Sequence, residues 1–240
     1  MTRTDVTVTL PLMGAGTEFF DRIVGALPDD ALFDPSGLPG WSRAHVVGHL
    51  ARNAEALTRL ATWARTGVET PMYAHREQRN ADIEASAQGS AETLRTELAT
   101  TGDDLDSALA ALDEHTWHAP VRSAQGRAIP AAEIPWMRVR EVWLHAVDLD
   151  AGATVADIPG EVLDLLLDDV TGVLSGRDGC PAALLVPTDR DRAWSLGAGG
   201  DAVEVRGTAA DVVGWLVGRT DGKDLTTVGG AVLPAPPRWL

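Results

Sequence analysis

Glu141 and His145 stand four residues apart in MRVREVWLHAVDLD, residues 137–150. A carboxylate and an imidazole one helical turn apart can hold the same metal ion. On a helical wheel Arg138, Glu141, His145 and Asp148 share an arc of roughly 80°, with Val139, Val142, Trp143, Ala146, Val147 and Leu149 over most of the remainder. Such an arc has two readings. It is either a solvated stripe, with Arg138 paired to Glu141 and His145 near Asp148, or a group of donors turned into a bundle core. The second reading needs another ligand. GWSRAHVVGHLARNA, residues 40–54, offers His45 and His49, again four apart. His49 falls at the edge of the apolar face beside Leu60 and Asn53, whereas His45 lies towards Arg52 and Arg59, so His49 is the better inward donor. His75, His115 and His118 lie in loop-like sequence and are weaker candidates. Two neutral imidazoles and one carboxylate suit Zn²⁺ with a fourth position open to water or substrate, and the same set could hold Fe²⁺.

The elements that would position these donors are mostly helical in the first two thirds of the chain. Val46, Leu50, Ala54, Leu57 and Ala61 recur at helical spacing between a Ser42 N-cap and a Gly67 stop. Leu94, Leu98, Leu105, Leu109 and Leu112 mark a second long helix that starts at Ser90. TEFFDRIVGAL, residues 17–27, supplies a shorter one, and Pro135 is placed to open the helix carrying Glu141 and His145. TPMYAHREQRN, residues 70–80, reads as a polar loop. Beyond DAGATVADIPG the pattern changes to one helix over about 161–174, short strands in AALLVP, AWSL and VEVRG, and a helix opened by Thr208 with Asp211. PAPPRWL closes the chain without regular structure. The boundary falls near residues 152–160, giving domains 1–155 and 156–240.

Composition narrows the chemistry. The 240 residues, 45% hydrophobic, suffice for a packed core. Acidic residues outnumber basic ones 35 to 20, for a formal charge of −15 with no basic run, which argues against a nucleic-acid partner. Neither a signal peptide nor a run of 18 apolar residues is present, so no membrane association and a cytoplasmic location are expected. Cys180 is the single cysteine, which excludes an internal disulfide or a Cys-x-x-Cys site. Any thiol chemistry would draw its thiol from outside the chain.

GWSRAHVVGHLARNA, TGVETPMY, WMRVREVWLHAVDL, GWLVGR and the terminal PPRWL, in this order and spacing, resemble the mycothiol-dependent maleylpyruvate isomerases of actinobacteria over nearly the whole chain. The resemblance implies an α+β protein, with an N-terminal DinB-like four-helix bundle and a smaller C-terminal α+β domain. It implies zinc held by His49, Glu141 and His145, and mycothiol as the external thiol. It also implies a functional role for Arg219, reaching across the domain boundary to an acidic substrate. Read alone, Arg219 is a cation at a helix C-terminus. No residue is assigned to the sugar and inositol of mycothiol, and a monomer is expected. The implied reaction is thiol-assisted conversion of maleylpyruvate to fumarylpyruvate. The alternatives are a mycothiol S-transferase acting on another electrophile and a non-catalytic metal-binding module. A zinc hydrolase fits poorly, because no further glutamate has the spacing of a protease general base.

Overall fold

A computed structural model describes residues 2–199 and 202–239. The chain divides into two compact units, Met1–Ala153 and Thr154–Leu240.

In the N-terminal unit, α1 (Val6–Ala26), α2 (Arg43–Thr66), α3 (Arg76–Ala87), α4 (Ala91–Ala110), α5 (Glu114–Trp117) and α6 (Ile134–Asp148) follow one another. A hairpin of β1 (Pro120–Arg122) and β2 (Ala128–Pro130) intervenes before α6. The four long helices α1, α2, α4 and α6 make the bundle. Helix α2 is its centre, packing on α3, α4 and α6, while α1 lies along α6. The central role of α2 follows from composition: Val46, Val47, Leu50, Ala54, Leu57, Leu60 and Ala61 are all essentially inaccessible to solvent. Its ends are set locally by Ser42, whose hydroxyl and backbone N–H both engage His45, and by Gly67, left-handed at φ 73°.

Two glycines allow close helix contacts. A Cβ at Gly16 would lie 2.5 Å from Val142 Cγ2, and one at Gly48 would lie 2.7 Å from Ser86 Cβ. The first lets α1 approach α6, and the second lets α3 approach α2.

Two helical segments depart from the sequence expectation. Helix α1 begins at Val6, eleven residues before the segment that reads as helical, and contains Pro11. Pro11, Gly14 and the β-branched residues are poor helix formers, but Met13, Gly16, Phe20 and Val24 are buried at spacings of three and four, so packing overrides propensity. Helix α3 begins inside the stretch read as a polar loop and takes up its last five residues, Arg76 to Asn80. His75 caps it through Nδ1, which accepts from Gln78 N at 3.1 Å, and only Ile83, Ser86 and Ala87 are buried.

The C-terminal unit carries α7 (Gly160–Ser175), β3 (Ala183–Pro187), β4 (Trp194–Leu196), β5 (Val203–Gly207), α8 (Ala209–Leu216) and β6 (Thr226–Thr227). The sheet order is β4-β3-β5-β6, with β3 and β5 parallel and the outer pairs antiparallel. Leu166, Val170 and Leu174 of α7, Val212 of α8, and Leu185 and Val205 of the sheet supply buried core. Thr208 and Asp211 form the capping box that starts α8. The molecule is therefore α+β, a helical bundle followed by a small α+β unit. Among the described residues, no helix is long and apolar enough to cross a membrane.

Candidate metal centre

His49 is supplied by the second turn of α2, and Glu141 and His145 by successive turns of α6. His49 Nε2 lies 2.9 Å from Glu141 Oε2, and His145 Nε2 lies 3.2 Å from the same oxygen. One ligand atom from each residue falls within 4.8 Å of the others, the one such group of three found among the described residues. Two ligands about 2.0 Å from a tetrahedral ion stand about 3.3 Å apart. The two contacts to Glu141 are close to that separation. The donor set and its spacing fit a small divalent cation.

Packing sets the orientation of both imidazoles. Their rings meet edge to face, with centroids 4.8 Å apart and planes at 89°. Trp41 also meets the His49 ring edge on, at 5.7 Å. Asp148, 3% exposed, places Oδ2 2.8 Å from His145 Nδ1. That carboxylate fixes the Nδ1–H tautomer and turns Nε2 towards Glu141, the usual outer partner of a ligating histidine.

Burial separates the two imidazoles electrostatically. It lowers His49 to about 4, although the hydrogen bond and charge of Glu141 pull the other way. His49 is thus neutral at pH 7, the form a metal requires. His145 is also buried, which disfavours its charge, but hydrogen bonds to Asp148 and Glu141 prevail and raise its pKa. Glu141 is opposed by burial, yet hydrogen bonds from His145 and His49 hold it well below the ordinary carboxylate range.

The remaining members of the arc are not solvated. Arg138 is 2% exposed and donates from Nη1 to Leu50 O at 2.7 Å and to Asn53 Oδ1 at 3.0 Å, tying α6 to α2. Burial lowers its pKa to about 10, against the attraction of Glu141, so it stays charged at neutral pH. With Arg138 and Asp148 both buried, the arc faces the protein interior, and the solvated-stripe reading is set aside. His45 belongs to the N-terminal cap of α2. Its Nδ1 is 2.7 Å from Ser42 Oγ, and its Nε2 is 3.1 Å from Glu84 Oε2 on α3. His75 caps α3, His115 lies within the single turn of α5 and not in a loop, and His118 is the C-cap of that turn.

Arg219 lies in the C-terminal unit just past α8, after Gly218 at φ 73°. Its backbone N–H reaches Gly214 O at 2.8 Å and its Nη1 donates to Val217 O at 2.8 Å. Cys180 is half-buried in the same unit, and desolvation raises its thiol pKa. Sequence reasoning did not select Arg79, whose Nη2 lies 3.3 Å from His49 Nδ1, or Tyr73 beneath it. Both come from the segment read as a loop, where no helical face was visible to aim them.

Comparison with known proteins gives a consistent result. Residues 13–150 match the mycothiol maleylpyruvate isomerase N-terminal domain, and residues 157–238 match the corresponding C-terminal domain. The chain is similar over its full length to two crystal structures, of the mycothiol-dependent maleylpyruvate isomerase and of a histidine-to-alanine variant of it. Each is 36% identical and covered over its whole length, with TM-scores of 0.93 and 0.92. No curated protein sequence matches significantly.

Proposed function

The chain belongs to the mycothiol maleylpyruvate isomerase family, and on that premise we propose that it is a zinc- and mycothiol-dependent cis-trans isomerase converting maleylpyruvate to fumarylpyruvate, acting as a cytoplasmic monomer. The observation that carries this reading is the convergence of His49, Glu141 and His145 on one point between α2 and α6.

Zinc, when bound by these three residues, would keep a fourth position open and favour a thiol in its nucleophilic thiolate form near neutral pH. Mycothiol would supply that thiol: reversible addition to the substrate double bond leaves a single bond free to rotate, and elimination returns the trans alkene and the thiol. No atom is gained or lost overall. The chain's own residues hold and orient. His49 is neutral and ready to ligate because it is buried. His145 presents Nε2 because Asp148 occupies Nδ1. Glu141 contributes the one negative charge of the donor set, which leaves a zinc centre net positive and favourable to a thiolate. Arg219 is proposed to pair with a substrate carboxylate, for which its planar fork suits, and to stabilise enolate charge as the carbonyl-conjugated double bond is attacked. Cys180, with a raised thiol pKa, takes no part.

Turnover of maleylpyruvate by the zinc-loaded protein, with and without mycothiol, tests the reading. Isomerisation is expected only when both are present. Equal rates without thiol would refute it.

A further inference from the structure

Arg79 sits on the first turn of α3, half-buried, with its guanidinium beside one proposed ligand. Its Nη2 is 3.3 Å from His49 Nδ1, its Nη1 is 3.2 Å from Asn80 Oδ1, and its Cζ lies 5.8 Å from the centre of the Tyr73 ring. Among the described residues, no carboxylate lies within ion-pair distance of it. Neighbouring arginines differ. Arg52 meets Glu97 at 2.8 Å, Arg59 donates to Met72 O at 2.8 Å with Glu55 nearby, and Arg138 is bonded to Leu50 O and Asn53. In a chain of formal charge −15, a half-buried guanidinium with no acidic partner beside a metal-type donor set is a poor structural investment and a good receptor for an anion.

The hydrogen bond that Arg79 makes to His49 is conditional. An arginine can only donate, so the contact requires Nδ1 to be an acceptor, with the ring proton on Nε2. Coordination through Nε2 reverses the tautomer and places the proton on Nδ1. Nη2 and Nδ1 are then both donors, and the guanidinium must take an acceptor elsewhere. Tyr73 keeps the head group close to the centre through its ring face and a hydrogen bond from the guanidinium to its hydroxyl, a neutral acceptor that leaves the charge of Arg79 without an anion. Burial raises the Tyr73 phenol above its ordinary value of 10, so the ring stays neutral and does not become the missing anion.

We propose that Arg79 is an anion-binding residue of this centre, released from His49 when Nε2 coordinates the metal and directed to a carboxylate of the substrate. The inference rests on the reading of an acidic substrate at a metal held by His49, Glu141 and His145. It adds a cation carried by α3, in the same unit as the donors.

The test uses the full-length zinc-loaded protein, with maleate, a small cis-dicarboxylate, as the calorimetric probe and no thiol present. In Arg79→Gln, maleate binding is expected to weaken about tenfold or more, the loss of one charge-assisted hydrogen bond. Arg79→Lys is expected to recover part of it through charge alone. Zinc affinity, measured separately by competition with a chromophoric chelator, is expected to be unchanged or tighter in Arg79→Gln, because a competitor for His49 is gone. Equal maleate affinity in native protein and Arg79→Gln overturns the proposal. So does weakened zinc binding in Arg79→Gln, which would mean that Arg79 only props the imidazole. If the native zinc-loaded protein binds no maleate while retaining zinc, the acidic-substrate reading fails and this inference falls with it.

Discussion

Replacing Asp148 by alanine is the most informative change outside the three donors. Asp148 is 3% exposed, and its Oδ2 is 2.8 Å from His145 Nδ1, so it holds the ring in the one orientation that presents Nε2 to Glu141. Removing such an outer partner typically costs tenfold to a hundredfold in metal affinity, or about 1.4–2.8 kcal/mol. A second effect runs the opposite way. Asp148 helps to raise the pKa of His145, so without it the proton competes less well with the metal. At pH 8 proton competition is small and the full loss is expected. At pH 6 the gap between native and variant should narrow, because acid weakens the native site more. Asp148→Asn keeps an acceptor oxygen and is expected to lose less than the alanine variant. The assay is zinc competition against a chromophoric chelator, with circular dichroism as the folding control. The backbone carbonyl of Asp148 also accepts from Gly37 N at 2.8 Å, and alanine preserves that bond. Unchanged zinc affinity in Asp148→Ala at pH 8 would refute the assigned role of this carboxylate.

Other expected outcomes follow from the same geometry. His45→Ala should lower stability by about 1 kcal/mol through loss of the α2 cap while leaving zinc affinity unchanged, as checked by thermal melts and chelator competition. Arg138→Met should destabilise by about 2–4 kcal/mol in urea melts, because Asn53 Oδ1 and the α2 carbonyl lose a buried donor. In chelator, stability should fall on acidification from about pH 6.5 towards pH 4. The unfolded chain binds a proton at His49 that the folded chain resists, a penalty on the order of 3 kcal/mol. His145 has the opposite sign: its raised pKa contributes stability below about 6.5 that is lost as pH rises through the folded value, so pH melts should show a maximum between the two windows. Arg219→Lys is expected to cut kcat/KM by about tenfold or more with little change in melting temperature, since charge is kept and the planar fork is lost.

Much of the bundle is legible because α2, α4 and α6 advertise themselves through apolar spacing and capping residues. The distinction between His45 and His49 was also readable, since only one of them falls on the face that meets α6. The first half of α1 was hidden by Pro11 and its glycines, whose effect is overcome by packing on α6 that periodicity cannot register. Helix α3 was hidden for the opposite reason, because it buries too few side chains to leave a stripe. That loss extended to chemistry: with the start of α3 read as a loop, Arg79 had no direction. The buried roles of Arg138 and Asp148 depend on contacts with α2 carbonyls and with a ring nitrogen. A helical wheel shows that charges are grouped but not whether the group faces water or protein.

Thiol bookkeeping during turnover tests the central claim most directly. Zinc-loaded protein is incubated with maleylpyruvate and a small amount of mycothiol, product is followed to many turnovers per thiol, and free thiol is titrated before and after. The expected result is fumarylpyruvate formed with all thiol recovered, and no reaction when mycothiol is omitted. Isomerisation at full rate without added thiol, or one thiol consumed for each product as in an S-transferase, would contradict it.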